Sequence, residues 1–186
     1  MAKKQDDTNS LQELKQAIKA AAPARLYVFH GEEMFLLRHY LQQLKAAVVD
    51  ELTESFNYHR FNSDNFEIRE FADAVENLPM MAERTMVQVD DVDFFKRPED
   101  DRTKLIDILT DIPEYCTVVL TYETVTWKPD KRLKKLWDAF GSAQIVDFEK
   151  QGQGIWLFGS SVTSVPEASR SPRSFAPISW RLRMEP

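Results

Sequence analysis

Residues 26–30, 85–89 and 117–122 are short runs rich in apolar and β-branched side chains. A continuous apolar run of that length reads as a strand covered on both faces. Between the runs, apolar residues recur three and four apart, the mark of amphipathic helices. Buried strands alternating with such helices imply an α/β fold. The expected architecture is a mostly parallel five-stranded sheet, with right-handed crossovers and helices on both faces.

In chain order, residues 1–9 are charged and are expected to be mobile. Ser10 and Glu13 have capping-box spacing, Leu11, Leu14 and Ile18 follow at helical spacing, and Pro23 ends that helix. After the first strand, Gly31 is expected to turn the chain and Glu32 and Glu33 to open a helix. Its apolar stripe is Met34, Leu37, Leu41, Leu44 and Val48. Residues 56–61 alternate as a strand and 62–65 carry turn chemistry. A helix from Phe66 or Glu67 points Ile68, Phe71, Ala72 and Val75 inward and stops before Pro79. Residues 92–102 read as a charged connection, and Leu105, Ile108, Leu109 and Ile112 mark a helix closed by Pro113. Residues 131–140 are predicted helical, with Leu133, Leu136, Trp137 and Phe140 inward and Gly141 as C-cap. Residues 144–148 form the fifth strand.

Composition narrows the function. The chain has 186 residues, 43% of them hydrophobic, which suits one domain with an extension. Its net charge of -6 gives no broad basic face for phosphates, so unaided nucleic-acid binding is not favoured. The single cysteine, Cys116, excludes an intramolecular disulfide and fits a reducing compartment, and beside an apolar strand it reads as a buried, inert thiol. No apolar run reaches membrane-spanning length, so a cytoplasmic protein is expected. Residues 1–24 read as a leading helix, 25–149 as the domain and 150–186 as an atypical tail. Residues 151–186 contain no Lys and no Asp, yet hold three of the five glycines and four of the nine prolines. That shift leaves two expectations: a disordered extension, or a reading-frame change after about residue 150 that truncates a longer protein.

The first strand, turn and helix stand where nucleotide-binding sheets carry a phosphate loop. Such a loop needs a second Gly, a Lys and a Ser or Thr, but counting from Gly31 those places hold Leu36, Leu37 and Arg38. Glu32 and Glu33 put negative charge where phosphate would sit; as helix-dipole complements they make better sense. Asp90 and Asp91, ending an apolar strand, would have no nucleotide to serve as Mg²⁺ ligands. His30, His39 and His59 lack metal-like spacing. No catalytic constellation assembles, and no cofactor is expected. Lys128, Lys131, Arg132, Lys134 and Lys135, beside Trp127, form the one basic cluster. It is a solvated face or a weak, salt-sensitive DNA-backbone contact.

One stretch is left over. Leu78-Pro79-Met80-Met81 follows a helix and precedes a buried strand, at a turn. Two unbranched apolar side chains there serve either as core or as a hydrophobic plug for a partner. Apolar residues mostly serve packing.

The segments starting Leu26-Tyr-Val-Phe-His-Gly-Glu-Glu-Met-Phe-Leu-Leu, then Phe56-Asn, then Asn77-Leu-Pro-Met-Met-Ala-Glu-Arg-Thr-Met-Val-Gln-Val, then Thr117-Val-Val-Leu, have an order and spacing that resembles a known family. It is the N-terminal domain of the bacterial DNA polymerase III delta subunit, and the resemblance covers roughly residues 11–150. It implies an AAA+-like (P-loop NTPase-like) domain without a functional phosphate loop. It implies a non-catalytic part of a DNA-directed DNA polymerase, a nucleotidyltransferase holoenzyme. It also implies that two adjacent apolar residues wedge into the sliding clamp (the beta subunit) and help open its ring. Those positions fall on Met80 and Met81, with Leu78 adjacent. The Met pair departs from the bulkier residues of many relatives. Family members continue into a helical lid and a collar that assembles with the other clamp-loader subunits; the tail here resembles neither. The rival readings are a divergent NTPase and a general α/β protein-interaction module.

Overall fold

The computed structural model describes residues 3–149. The expectations for residues 150–186 lie outside the described residues. The elements are α1 (Lys3–Ala20), β1 (Leu26–Gly31), α2 (Met34–Val48), α3 (Glu54–Asn57), β2 (Tyr58–Asn62), α4 (Ile68–Glu76), β3 (Thr85–Asp90), α5 (Glu99–Thr110), β4 (Cys116–Thr121), α6 (Lys134–Ala139) and β5 (Gln144–Phe148), with 3-10 turns at Phe94–Lys96 and Phe140–Ser142.

The five strands form one sheet in the order β2-β3-β4-β1-β5, and every neighbouring pair is parallel. Strand residues alternate between two cores, as the period of two requires. Leu26 and Val28 face a layer with Phe71 of α4, Leu105 and Leu109 of α5 and Leu136 of α6. Tyr27 and Phe29 face the opposite layer, with Leu14 of α1 and Leu37 and Leu44 of α2. The sheet is therefore covered on both sides, which is why its strands read as unbroken apolar runs.

The structure corrects several boundaries. The first helix starts at Lys3, so residues 3–9 are helical rather than mobile and Ser10 lies inside the helix instead of capping it. No Gly or Pro interrupts that stretch. Phe56 and Asn57 are not strand. Their amides both donate to the Thr53 carbonyl, at 3.0 and 3.1 Å, closing a helical turn before β2. The 92–102 connection is partly helical, because Glu99, Asp100 and Asp101 make a dipole-compatible first turn for α5. The inward face of α4 includes Ala74 rather than a fully buried Ala72, and that of α2 includes Tyr40, while Leu41 is only half-buried. The last helix starts at Lys134. The Asp130 carboxylate accepts from the Arg132 amide at 3.0 Å and the Asp130 carbonyl from the Leu133 amide, so a turn occupies residues 130–133. Gly141 sits inside a 3-10 turn and does not enter the left-handed region expected of a helix cap.

Candidate functional site

The loop between α4 and β3 is tied down on three sides. On the helix side, the Tyr115 hydroxyl donates to the Glu76 carbonyl at 2.9 Å, giving one orphan carbonyl of the last helical turn a partner. On the strand side, the Thr85 amide donates to the Tyr115 carbonyl at 2.8 Å and the Arg84 guanidinium to the Glu114 carbonyl at 3.2 Å. In the middle, Asn57 makes two hydrogen bonds to one residue. Its carboxamide oxygen accepts from the Met80 amide and its nitrogen donates to the Met80 carbonyl, both at 2.8 Å.

Between these ties the apolar side chains face outward. Leu78 is 72% exposed, Met80 55% and Met81 94%. The three sequence-predicted residues are thus brought together on one surface loop, and none belongs to either core. Met81 has φ +55°, a left-handed backbone that costs a non-glycine residue about 1–2 kcal/mol. Phe56, beside Asn57, is also exposed. Sequence reading missed both residues as site components. The available signal was a polar Asn inside the run 56–61 that alternates as a strand, a setting in which Asn is depleted.

The place where a phosphate loop would stand lies at the other end of the sheet, where a cleft of about 570 Å³ opens at the carboxyl ends of β1, β4 and β5. Glu32, Glu123, Asp147 and Glu149 line it, so its walls are acidic. Gly31 belongs to β1 rather than to a turn. It has φ +132°, and a Cβ there would stand 2.4 Å from the Phe148 carbonyl oxygen. That same oxygen accepts from the Glu33 amide at 2.8 Å. Glu32 and Glu33 precede α2, and the Glu33 side chain makes no capping hydrogen bond. Arg38 pairs with both carboxylate oxygens of Glu123, its Nε at 3.1 and 3.0 Å. The glycine, a helix-entry amide and the nearby cation are therefore committed to the protein itself.

Asp90 accepts from Arg60 and Gln88, each at 2.6 Å, and from the Thr121 hydroxyl. Asp91 accepts from the amides of Glu123, Thr124 and Val125 at 2.8–3.1 Å and from the Thr124 hydroxyl at 2.8 Å. Desolvation pushes the Asp91 carboxyl up, but the four hydrogen bonds together outweigh it and hold it below its ordinary value. Both aspartates thus organise strand ends and the loop after β4. His30 stacks on Trp127 beside Asp147, His39 bonds Gln43, and His59 lies on β2, so the histidines do not converge. Among the described residues no group of three or more His, Cys, Asp or Glu is arranged for a metal ion. Burial pushes the Cys116 thiol up to about 11.

Lys131, Arg132, Lys134 and Lys135 are all exposed, but they do not share one helix face. The first two precede α6 and the last two open it. Arg132 pairs with Asp130 at 3.1 Å, and Lys131 lies 5.4 Å from the Trp137 ring centre. No described helix is long and apolar enough to cross a membrane.

Residues 27–149 match the sequence model of a family described as DNA polymerase III, delta subunit. No curated protein matches the chain. Among solved structures, the Bacillus subtilis DNA clamp loader delta protein is similar in fold. It is 24% identical with a TM-score of 0.63, and the match covers 74% of this chain and 42% of that one. The chain thus spans less than half the length of that protein. A DNA polymerase III gamma subunit-related protein of Thermotoga maritima is 16% identical with a TM-score of 0.48, over 75% of this chain and 46% of that one.

Proposed function

The chain belongs to the DNA polymerase III delta subunit family, and from that premise we propose that it serves DNA replication by docking on a sliding clamp through Leu78, Met80 and Met81. The observation that supports this reading is the exposure of three large apolar side chains on a loop held by its neighbours. Soluble surfaces seldom gather such groups without a partner to cover them. Fully burying one contributes about 1.5–3 kcal/mol, so two supply about half of a micromolar affinity before ordering costs. Methionine adapts its shape to a pocket that must be both entered and left.

In this reading the domain catalyses nothing. It works inside the polymerase holoenzyme, with the sliding clamp and the other loader subunits as partners, where it helps open the clamp ring. A reducing, cytoplasmic setting suits its single buried thiol. Lys131, Arg132, Lys134 and Lys135 provide at most a secondary, salt-sensitive contact with a phosphate backbone. The acidic cleft and the committed Glu33 amide speak against a divergent NTPase; a calorimetric titration showing ATP heat would restore that rival.

The test is a pull-down with the sliding clamp of the source organism. The wild-type chain is expected to bind. Met80→Ser with Met81→Ser is expected to abolish binding while the far-UV spectrum stays that of a folded domain. Retained binding by the double variant would remove the proposal.

A further inference from the structure

Asn57 is fully buried, although Asn is usually exposed, and both ends of its carboxamide go to the backbone of one residue 23 positions away. A backbone amide only donates and a carbonyl only accepts, so Met80 fixes which way round the carboxamide sits. The side chain thereby supplies what a ladder partner supplies in a sheet. It does so one residue before β2 begins, while regular β2–β3 pairing starts at Tyr58 and Met86. Met80 lies in a stretch with no helix or strand of its own, between Glu76 and Thr85. Fixing both polar groups of Met80 fixes the start of Met81, the most exposed apolar residue of the loop and one in the left-handed region.

We propose that Asn57 is a positioning residue, whose carboxamide braces Met80 so that the Met80–Met81 pair is preformed for an apolar pocket on the protein partner. The inference rests on the docking reading above and adds its structural origin: affinity depends on a residue that does not itself touch the partner. A preorganised loop loses less freedom on docking, which raises affinity without adding a contact.

Three measurements test this on the full chain. The Met80 amide, bonded to a buried acceptor, is expected to exchange with deuterium slowly in the wild type; exchange at the rate of a free peptide overturns the brace, whatever any variant does. Asn57→Ala, which removes both bonds, is expected to bind the sliding clamp about tenfold more weakly, the loss of two modest hydrogen bonds and the order they impose. Asn57→Asp, which keeps the acceptor but sets a carboxylate oxygen against the Met80 carbonyl, is expected to bind more weakly than the wild type as well. In a Met81→Ala background, which keeps residual affinity, Asn57→Ala is expected to cost less than in the wild type. A purely structural role would give the same factor in both backgrounds and overturns the proposal. Clamp binding by Asn57→Ala equal to wild type overturns this inference and leaves the docking reading standing. A wild-type chain that does not bind the clamp removes both.

Discussion

Gly31 and Phe148 approach so closely across the β1–β5 pair that the glycine has no room for a side chain, its missing Cβ falling 2.4 Å from the Phe148 carbonyl oxygen. With φ +132° the backbone there is closed to other residues as well. Gly31→Ala is expected to destabilise the domain by about 3 kcal/mol through strain at both places. Urea unfolding measures it. A change below about 1 kcal/mol would mean that β5 moves aside freely.

The left-handed Met81 opposes stability to function. Met81→Gly relieves the backbone and removes a side chain that is 94% exposed, so almost no burial is lost. The variant is expected to be more stable by about 0.5–1 kcal/mol and yet to bind the sliding clamp more weakly. Thermal unfolding and a binding titration on one preparation read both signs. Loss of stability would show that Met81 packs on the domain after all.

Asp91 ties the end of β3 to the loop after β4, and its carboxyl is held below its unfolded value. The stabilisation it provides is therefore complete above about pH 4, the unfolded value. It is lost as pH falls through the lower folded value. Asp91→Asn is expected to cost about 1–2 kcal/mol at neutral pH, since a neutral acceptor replaces a charged one. The difference from wild type should shrink below about pH 4. Guanidinium melts at pH 7 and pH 3 check it.

Cys116 is buried, with its thiol raised to about 11. It is expected to resist a thiol-reactive dye in the native protein at pH 7.5 and to react at once in guanidinium. Rapid native labelling would mean that β4 opens locally.

The sheet was legible because strands such as Cys116–Thr121, buried along their whole length, leave no alternative to cover on both faces. The mismatch with a phosphate-loop pattern was legible at Leu36, Leu37 and Arg38, because that chemistry needs particular residue types at fixed spacing. What stayed hidden was long-range. Asn57 and Met80 meet across 23 residues through one side chain, and no local period records such a pair. The start of α6 was hidden for a different reason: the Asp130 turn competes with a helix that propensity alone would extend. The outward aim of Met80 and Met81 was open in the pattern, since apolar residues before a strand look the same whether they enter the core or leave it.

Asn57 and the Met80 loop stand where β2 and β3 begin, whereas the acidic cleft stands where β1, β4 and β5 end. In parallel sheets it is the second rim that usually hosts ligands. The two rims share the strands, but the residues that line the cleft are not those that tie down the Met80 loop. The same strands thus hold an acidic, internally bonded pole and an exposed apolar pole at opposite ends.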